Sequence, residues 1–157
     1  MQVEMWSLDR IKPYEKNPRI NDDAVAPVVQ SINEFGFRQP IVVDPDGVII
    51  VGHTRWKAAK QLNLAEVPVH VATDLSAEQI KAYRIADNQT ATLAEWDFDL
   101  LPLEIGELQN VGFDCELLGF NSDELAKLLD PGVEPGLTDP DDVPEPLSRV
   151  AVRRTAG

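Results

Sequence analysis

One stretch near the middle of the chain restricts the fold most. Residues 48–63 have the sequence VIIVGHTRWKAAKQLN. The four apolar residues predict a short strand, Gly52 predicts a turn, and a helix is expected to start near Thr54, which suits an N-cap. The first N–H groups of such a helix have no internal partner, so the turn can bind a phosphate or another anion. Arg55 and Lys57 add positive charge. The alternative is an ordinary strand-to-helix turn with Arg55 solvated.

The residues before this stretch predict a β-hairpin. The sequence DPDG at 44–47 is a strong turn signal with apolar residues on both sides, so we expect a hairpin over 40–51. The sequence EVPVHVA at 66–72 predicts another strand, and VEMWSL at 3–8 predicts an edge strand. His70 lies on the strand face opposite the valines. We therefore interpret His70 as a surface or cross-strand residue rather than a ligand.

Amphipathic patterns predict helices between and after the strands. The first should start close to Asp23, keep Pro27 in its first turn and end at Gly36, which acts as a C-cap. A capping box formed by Ser76 and Gln79 opens a later helix. The predicted helices cover residues 23–35, 54–63, 76–88, 97–108 and 123–129, and the last is capped by Asn121 or Ser122.

These elements predict three segments. Strands alternating with helices over 1–95 indicate a compact α/β (α+β) domain with a mixed sheet flanked by helices. Residues 96–129 are expected to form a helical annex. Residues 130–148 hold five prolines and six acidic residues, so they are interpreted as a linker, and 149–157 as a short basic tail. We expect 130–157 to be disordered or extended.

Charge and cysteine content exclude several classes of protein. The net charge of −13, from 14 basic and 27 acidic residues, argues against a stand-alone, high-affinity DNA-binding protein. A single cysteine excludes an internal disulfide and a cysteine-rich zinc site. No apolar run approaches the length of a membrane span, and the N-terminus lacks the pattern of a signal peptide. A cytoplasmic location is the default expectation.

Short motifs resemble those of the ParB/sulfiredoxin-like superfamily. The ParB motif G-x-x-Q-P is matched at 36–40 (GFRQP), and the motif G-E-R-R-x-x-A at 52–58 (GHTRWKA), with the alanine one place off. The motif E-N-x-Q-R is matched in part at 87–89 (DNQ), and the family's N-P box at 17–19 (NPR). Sulfiredoxin and the serine kinases of this fold have a similar turn with a G-x-H-R or G-H-H-R motif. The resemblance implies the ParB/sulfiredoxin-like fold.

A longer similarity covers residues 14–129. This run resembles the ParB-like N-terminal domain of phage- and plasmid-type DNA methyltransferases, in which an acidic, proline-rich segment joins the domain to the methyltransferase domain. The resemblance implies a nucleotide-binding and DNA-binding module of a DNA-modification or partition-type system. Its implied partners are a nucleotide and either DNA or a methyltransferase domain. A homodimer is left open, and no membrane is implied.

The resemblance also assigns a candidate binding site. Its residues are Gln39, Gly52, His53, Thr54, Arg55, Asp87 and Asn88. The implied ligand is a nucleoside triphosphate, CTP or ATP, with Mg²⁺ held by Asp87. Arg84 precedes Asp87 by three residues and Asn88 by four, so these side chains can meet on one helix face. The ParB motif has Glu-Arg where this chain has His53-Thr54, so one phosphate-binding arginine is missing.

The sequence alone leaves two alternatives to a binding module open. The sequence contains no GxxxxGK[ST], GxGxxG, HExxH, GxSxG or D-P-P-[YW] motif, so methyl transfer by this chain is not expected. One alternative is an enzyme of the same fold: a small-molecule kinase, a nucleotide hydrolase or a nuclease. Glu34, Asp44 and Asp87 are then candidate metal ligands or bases, and none is singled out. The other alternative is a stable, inactive remnant.

Overall fold

The computed structural model describes residues 1–130, and their strands form one sheet. The strands are β1 (Glu4–Ser7), β2 (Ile41–Val43), β3 (Ile49–Val51) and β4 (Glu66–Val71). Within the described residues the sheet has the order β1-β4-β2-β3. β1 is antiparallel to β4, β4 is parallel to β2, and β2 is antiparallel to β3. The predicted mixed sheet, the hairpin and the edge position of β1 are confirmed.

The hairpin turn is held by hydrogen bonds within its own sequence. Asp44 Oδ1 accepts hydrogen bonds from the backbone N–H groups of Asp46 and Val48, each at 2.9 Å. Gly47 has φ of 87°, and a Cβ atom there would lie 2.8 Å from the carbonyl oxygen of Arg10. The N–H of Lys12 donates to the Gly47 carbonyl oxygen at 2.9 Å. The turn therefore also fixes the start of the segment that follows Arg10.

The core consists of apolar side chains from the sheet, the N-terminal segment and the second helix. Its buried members are Trp6, Ile11, Ile41, Val43, Ile49, Ala59, Val67 and Val69. On β4, Val67 and Val69 are fully buried, whereas His70 is partly exposed and its Nδ1 lies 2.8 Å from the Gln2 carbonyl oxygen. This confirms the cross-strand interpretation of His70.

The helices follow the predicted order. They are α1 (Asp22–Phe35), α2 (His53–Gln61), α3 (Ala77–Ala91), α4 (Leu101–Asn110) and α5 (Ser122–Leu129). α1 packs on α2, and α3 packs against β3. α1 ends at Gly36, which has φ of 86°. The capping box of Ser76 and Gln79 is present, and Asn121 rather than Ser122 caps α5.

The structure corrects three details predicted at the helix starts. Thr54 is not an N-cap, because Gly52 adopts a left-handed conformation (φ 112°, ψ 25°) and α2 already begins at His53. α1 begins at Asp22, close to Asp23 as predicted, but Pro27 lies beyond its first turn. α4 begins at Leu101 rather than Asp97, because Asp97 Oδ1 accepts hydrogen bonds from the N–H groups of Asp99 and Leu100 and holds a turn instead.

The chain divides into two compact units. The first comprises Met1–Glu95 and Leu117–Gly119, and it contains the sheet and α1 to α3. The second comprises Trp96–Glu116 and, within the described residues, 120–130. In the second unit Cys115 is buried, and its Sγ lies 3.8 Å from the Ile105 carbonyl oxygen. The predicted domain boundaries at 95 and 129 stay predictions.

Two further expectations from the sequence concern membrane spans and the C-terminal segment. None of the helices among residues 1–130 combines the length and the apolar character needed to cross a membrane. The predicted linker and basic tail, from residue 131 onward, lie outside the described part of the chain.

Candidate anion-binding site

The turn between β3 and α2 presents backbone N–H groups at a helix start. The first hydrogen bond of α2 runs from the Trp56 N–H to the Gly52 carbonyl oxygen, at 2.9 Å. The N–H groups of His53, Thr54 and Arg55 precede it, so they have no partner within the helix. A Cβ atom on Gly52 would lie 3.1 Å from Arg55 Nη2. Glycine therefore leaves room for the Arg55 side chain beside the turn.

A cavity of about 130 Å³ opens beside this turn. Its lining residues are Asn17, Arg19, Asn21, Ile50, Val51, Gly52, His53, Thr54, Arg55, Asp87 and Asn88. Six of the seven predicted site residues are therefore brought together. The exception is Gln39, which does not line the cavity and instead contacts Arg55: its Oε1 lies 3.4 Å from Arg55 Nη1.

Arg55 is the central cation of the site. Its Nη2 donates to the Pro40 carbonyl oxygen at 3.0 Å, while its Nε is buried without a partner among the described residues. Burial lowers the pKa of Arg55 below its usual value, and the neighbouring Asp87 opposes this shift. The guanidinium is thus anchored to the loop before β2 and retains an unpaired donor.

His53 is held as a neutral imidazole. Its Nε2 lies 3.1 Å from the backbone nitrogen of Tyr14, so it accepts that hydrogen bond. Burial lowers its pKa from 6.5 to about 4, and the positive charges of Arg84 and Lys57 add to the effect. At neutral pH His53 therefore contributes a hydrogen-bonding group and no charge.

α3 brings one carboxylate and one carboxamide to the cavity. Asn88 Nδ2 donates to the Arg84 carbonyl oxygen at 2.8 Å. The expected meeting of the Arg84 side chain with Asp87 and Asn88 is wrong, because Arg84 Nε donates instead to the Ile49 carbonyl oxygen at 3.1 Å. Mg²⁺ is commonly bound through one or two carboxylates together with ligand phosphates. Asp87 is the one carboxylate among the described residues that line the cavity, and residues 1–130 contain no cluster of three or more His, Cys, Asp or Glu side chains able to hold a metal ion.

The sequence-based site missed three polar residues that line the cavity. They are Asn17, Arg19 and Asn21. The N-P-R box at 17–19 was the signal that would have found the first two. Asn21 is buried, and its Oδ1 accepts a hydrogen bond from Lys57 Nζ at 2.8 Å instead of capping α1. This hydrogen bond connects the N-terminal end of α1 to α2.

The three candidate catalytic acids have different positions. Asp44 holds the hairpin turn, as described above. Glu34 is exposed on α1 and does not line the cavity. Asp87 alone among the three lines it. The structure therefore does not gather these carboxylates into one site.

Two family profiles match the sequence. The profile of the ParB N-terminal domain matches residues 1–88. The profile of the ParB-methyltransferase HTH domain matches residues 99–155. The first covers the unit with the sheet and the cavity. The second covers α4, α5 and much of the segment interpreted as a linker.

Similar proteins are found in bacteria. The ParB-like nuclease domain-containing protein YnaK of Escherichia coli (strain K12) is 41% identical over 80 residues, which are 50% of this chain and 92% of that protein. The probable chromosome-partitioning protein ParB of Rickettsia conorii is 30% identical over 129 residues, 81% of this chain. The chain spans only 42% of that protein's length.

A solved structure has the same fold. It is the C-terminally truncated chromosome-partitioning protein ParB from Caulobacter crescentus complexed with CTP-γ-S. The TM-score is 0.66 at 21% sequence identity, over 82% of this chain and 77% of that one. At this identity the similarity establishes the fold, and the predicted ParB/sulfiredoxin-like α+β class is confirmed.

Proposed function

Because the chain belongs to the ParB N-terminal domain family, we propose that it is a nucleotide-binding and DNA-binding module of a DNA-modification or partition system. In this proposal the cavity beside α2 binds a phosphate group of CTP or ATP. The single observation that carries it is the convergence of unpaired backbone N–H groups, Arg55 and Asp87 on one cavity. The crystallised relative with CTP-γ-S favours CTP as the first nucleotide to test.

The donors suit a phosphate oxygen. N–H groups at a helix start favour an anion through their partial positive charge. The planar guanidinium of Arg55 can donate two parallel hydrogen bonds, which a lysine cannot reproduce. Arg19 also lines the cavity and adds a second cation. The site therefore combines point charges with fixed backbone donors.

The size of the cavity restricts what it holds. Pockets that enclose drug-sized ligands measure roughly 300–1,000 Å³, and this cavity measures about 130 Å³. It has room for a phosphate group and not for a complete nucleotide. In the proposed complex the sugar and the base lie outside the cavity.

Asp87 gives the proposed site a requirement for a metal ion. A carboxylate beside a phosphate repels it, and Mg²⁺ bridging the two offsets this repulsion. We expect nucleotide binding to need Mg²⁺ for that reason. Asn88 retains its side-chain carbonyl as an acceptor, since its amide group donates to Arg84.

DNA contact, a methyltransferase partner and a homodimer belong to the same proposal. The match of residues 99–155 to the ParB-methyltransferase HTH domain supports the first two. The net charge of −13 implies that DNA contact relies on local basic residues and weakens steeply with salt. The cytoplasmic location expected from the sequence stays a prediction.

Calorimetric titration of CTP and ATP, with and without Mg²⁺, tests the proposal. Arg55→Ala should weaken nucleotide affinity about 10- to 150-fold, since a hydrogen bond to a charged group contributes about 1.5–3 kcal/mol. Arg38→Ala is the matched control, because Arg38 is exposed and does not line the cavity. If neither nucleotide binds, or if Arg55→Ala binds like the parent, the proposal fails. Release of phosphate from labelled nucleotide would instead support an enzyme.

A further inference from the structure

We propose that Arg84 is a positioning residue for the anion site and that it acts through Tyr14 on His53. Arg84 holds the Tyr14 backbone against the imidazole, which fixes the His53 proton on Nδ1, the donor for the phosphate of the ligand. The inference rests on the proposed function and adds a residue that the motifs do not assign. Arg84 itself does not line the cavity.

The surroundings of Arg84 carry the first step. Its side chain is buried, and its Cζ lies 3.6 Å from the centroid of the Tyr14 ring. Its Nε donates to the Ile49 carbonyl oxygen. Among residues 1–130 the ion pair present joins Lys57 and Asp22, so Arg84 has no carboxylate partner there. The stacking and the carbonyl contact must therefore offset its desolvation, which ties Tyr14 firmly to β3 and α3.

The contact between Tyr14 and His53 carries the second step. A backbone N–H group can only donate, so His53 Nε2, 3.1 Å away, must be the unprotonated nitrogen. In a neutral imidazole the proton then resides on Nδ1. The His53 ring makes no other hydrogen bond within the described residues, and His53 lines the cavity. The N–H at Nδ1 is thus the group that remains for a ligand.

The charges around His53 keep this tautomer neutral. Lys57 on α2 and Arg84 on α3 both disfavour a second proton on the ring. Lys57 and Arg84 do not line the cavity; the charged groups that do, among the described residues, are Arg19, Arg55 and Asp87. His53 therefore adds a directed donor to the site, while the arginines supply the charge.

Nitrogen NMR of the two histidines at neutral pH tests the Arg84 step without ligand. The parent should show the His53 proton on Nδ1, and Arg84→Gln should show a mixture of tautomers. Arg84→Gln should also bind CTP with Mg²⁺ about tenfold more weakly. Lys81→Gln removes the same charge from an exposed site on the same helix. This control should match the parent in both measurements.

A second pair of variants tests the donor position even if Arg84→Gln fails to fold. The amide nitrogen of asparagine lies near the position of Nδ1, and that of glutamine near Nε2. His53→Asn should therefore bind CTP with Mg²⁺ about tenfold more tightly than His53→Gln. Equal affinity in the two variants would overturn the inference.

Two results would overturn the tautomer step directly. One is a parent spectrum with the His53 proton on Nε2. The other is Arg84→Gln with the tautomer and affinity of the parent. A parent that binds neither nucleotide nor inorganic phosphate refutes the proposed function and the ligand-donor role with it. The spectra of the unliganded protein still decide whether Arg84 sets the tautomer, so the two failures are distinguishable.

Discussion

At the scale of single residues, the start of α2 depends on the left-handed backbone conformation of Gly52 and not on a cap by Thr54. Gly52→Ala places a β-carbon at φ of 112° and against Arg55 Nη2 and Ile41. We expect it to lower the free energy of unfolding by about 1–3 kcal/mol. Thr54→Ala should change it by less than about 0.5 kcal/mol, because no cap hydrogen bond is present to lose. Urea denaturation of both variants checks this. A larger loss for Thr54→Ala than for Gly52→Ala would contradict the assignment of the helix start.

His53 makes the stability depend on pH in a defined window. Its pKa is about 4 in the folded protein and 6.5 in the unfolded chain, so between these values the unfolded chain binds more protons. Its contribution to stability is constant above pH 6.5 and is lost as the pH falls towards 4. At about 1.4 kcal/mol per unit, reduced by solvent screening at this partly exposed side chain, the loss should be about 1–3 kcal/mol.

Denaturation curves across this pH range check the prediction. His53→Asn should remove this part of the pH dependence. His70→Asn is the control, because His70 is the other histidine and lies away from the cavity. The same slope in the parent and in His53→Asn would mean that other groups cause it.

At the scale of elements, the cap of α5 gives a sharp comparison between neighbouring residues. Asn121 Oδ1 accepts a hydrogen bond from the Glu124 N–H at 2.8 Å, and Glu124 Oε1 accepts one from the Asn121 N–H at 2.9 Å. Asn121→Ala should therefore destabilise α5 by about 1 kcal/mol, whereas Ser122→Ala should leave it unchanged. Hydrogen exchange of the α5 amides measures both. Faster exchange in Ser122→Ala than in the parent would mean that Ser122, and not Asn121, caps α5.

The elements that the sequence predicted well are those whose signals are local. The DPDG turn and the capping box of Ser76 and Gln79 make their hydrogen bonds within a few residues, so their sequence is sufficient. The N-cap of α2 was assigned to the wrong residue because the left-handed conformation of Gly52 outweighs the capping preference of Thr54. Arg84 was misjudged because its partners, Tyr14 and Ile49, are distant in sequence. Such contacts have no local signature.

The sequence predicted the candidate site in part, as it did the secondary-structure elements. Gly52 to Arg55 lie at the start of α2, and Asp87 and Asn88 lie within α3, so two regular elements bring these motif residues to one cavity. The burial of Arg55 and the role of Gln39 as its partner depend on how the loop before β2 meets α2. Arg55→Ala will therefore also cost some stability, contrary to the expectation for a solvated arginine.

At the scale of the whole molecule, the sequence predicts no methyl transfer. The sequence lacks the D-P-P-[YW] motif of enzymes that methylate amino groups of DNA. Incubation of the purified chain with DNA and radiolabelled AdoMet should leave the DNA unlabelled. A complete methyltransferase of known activity is the positive control, and labelled DNA from this chain alone would refute the prediction.

The small volume of the cavity has a consequence for competition between ligands. Under the proposed function, a site of about 130 Å³ contacts only the part that all nucleoside triphosphates share. Under the proposed function, inorganic pyrophosphate presents the same group without sugar or base and competes for the same donors. Any preference for cytosine over adenine must then come from atoms outside the cavity. In the cell, free phosphate compounds would compete for the same donors. A nucleotide would have to outcompete them in order to bind.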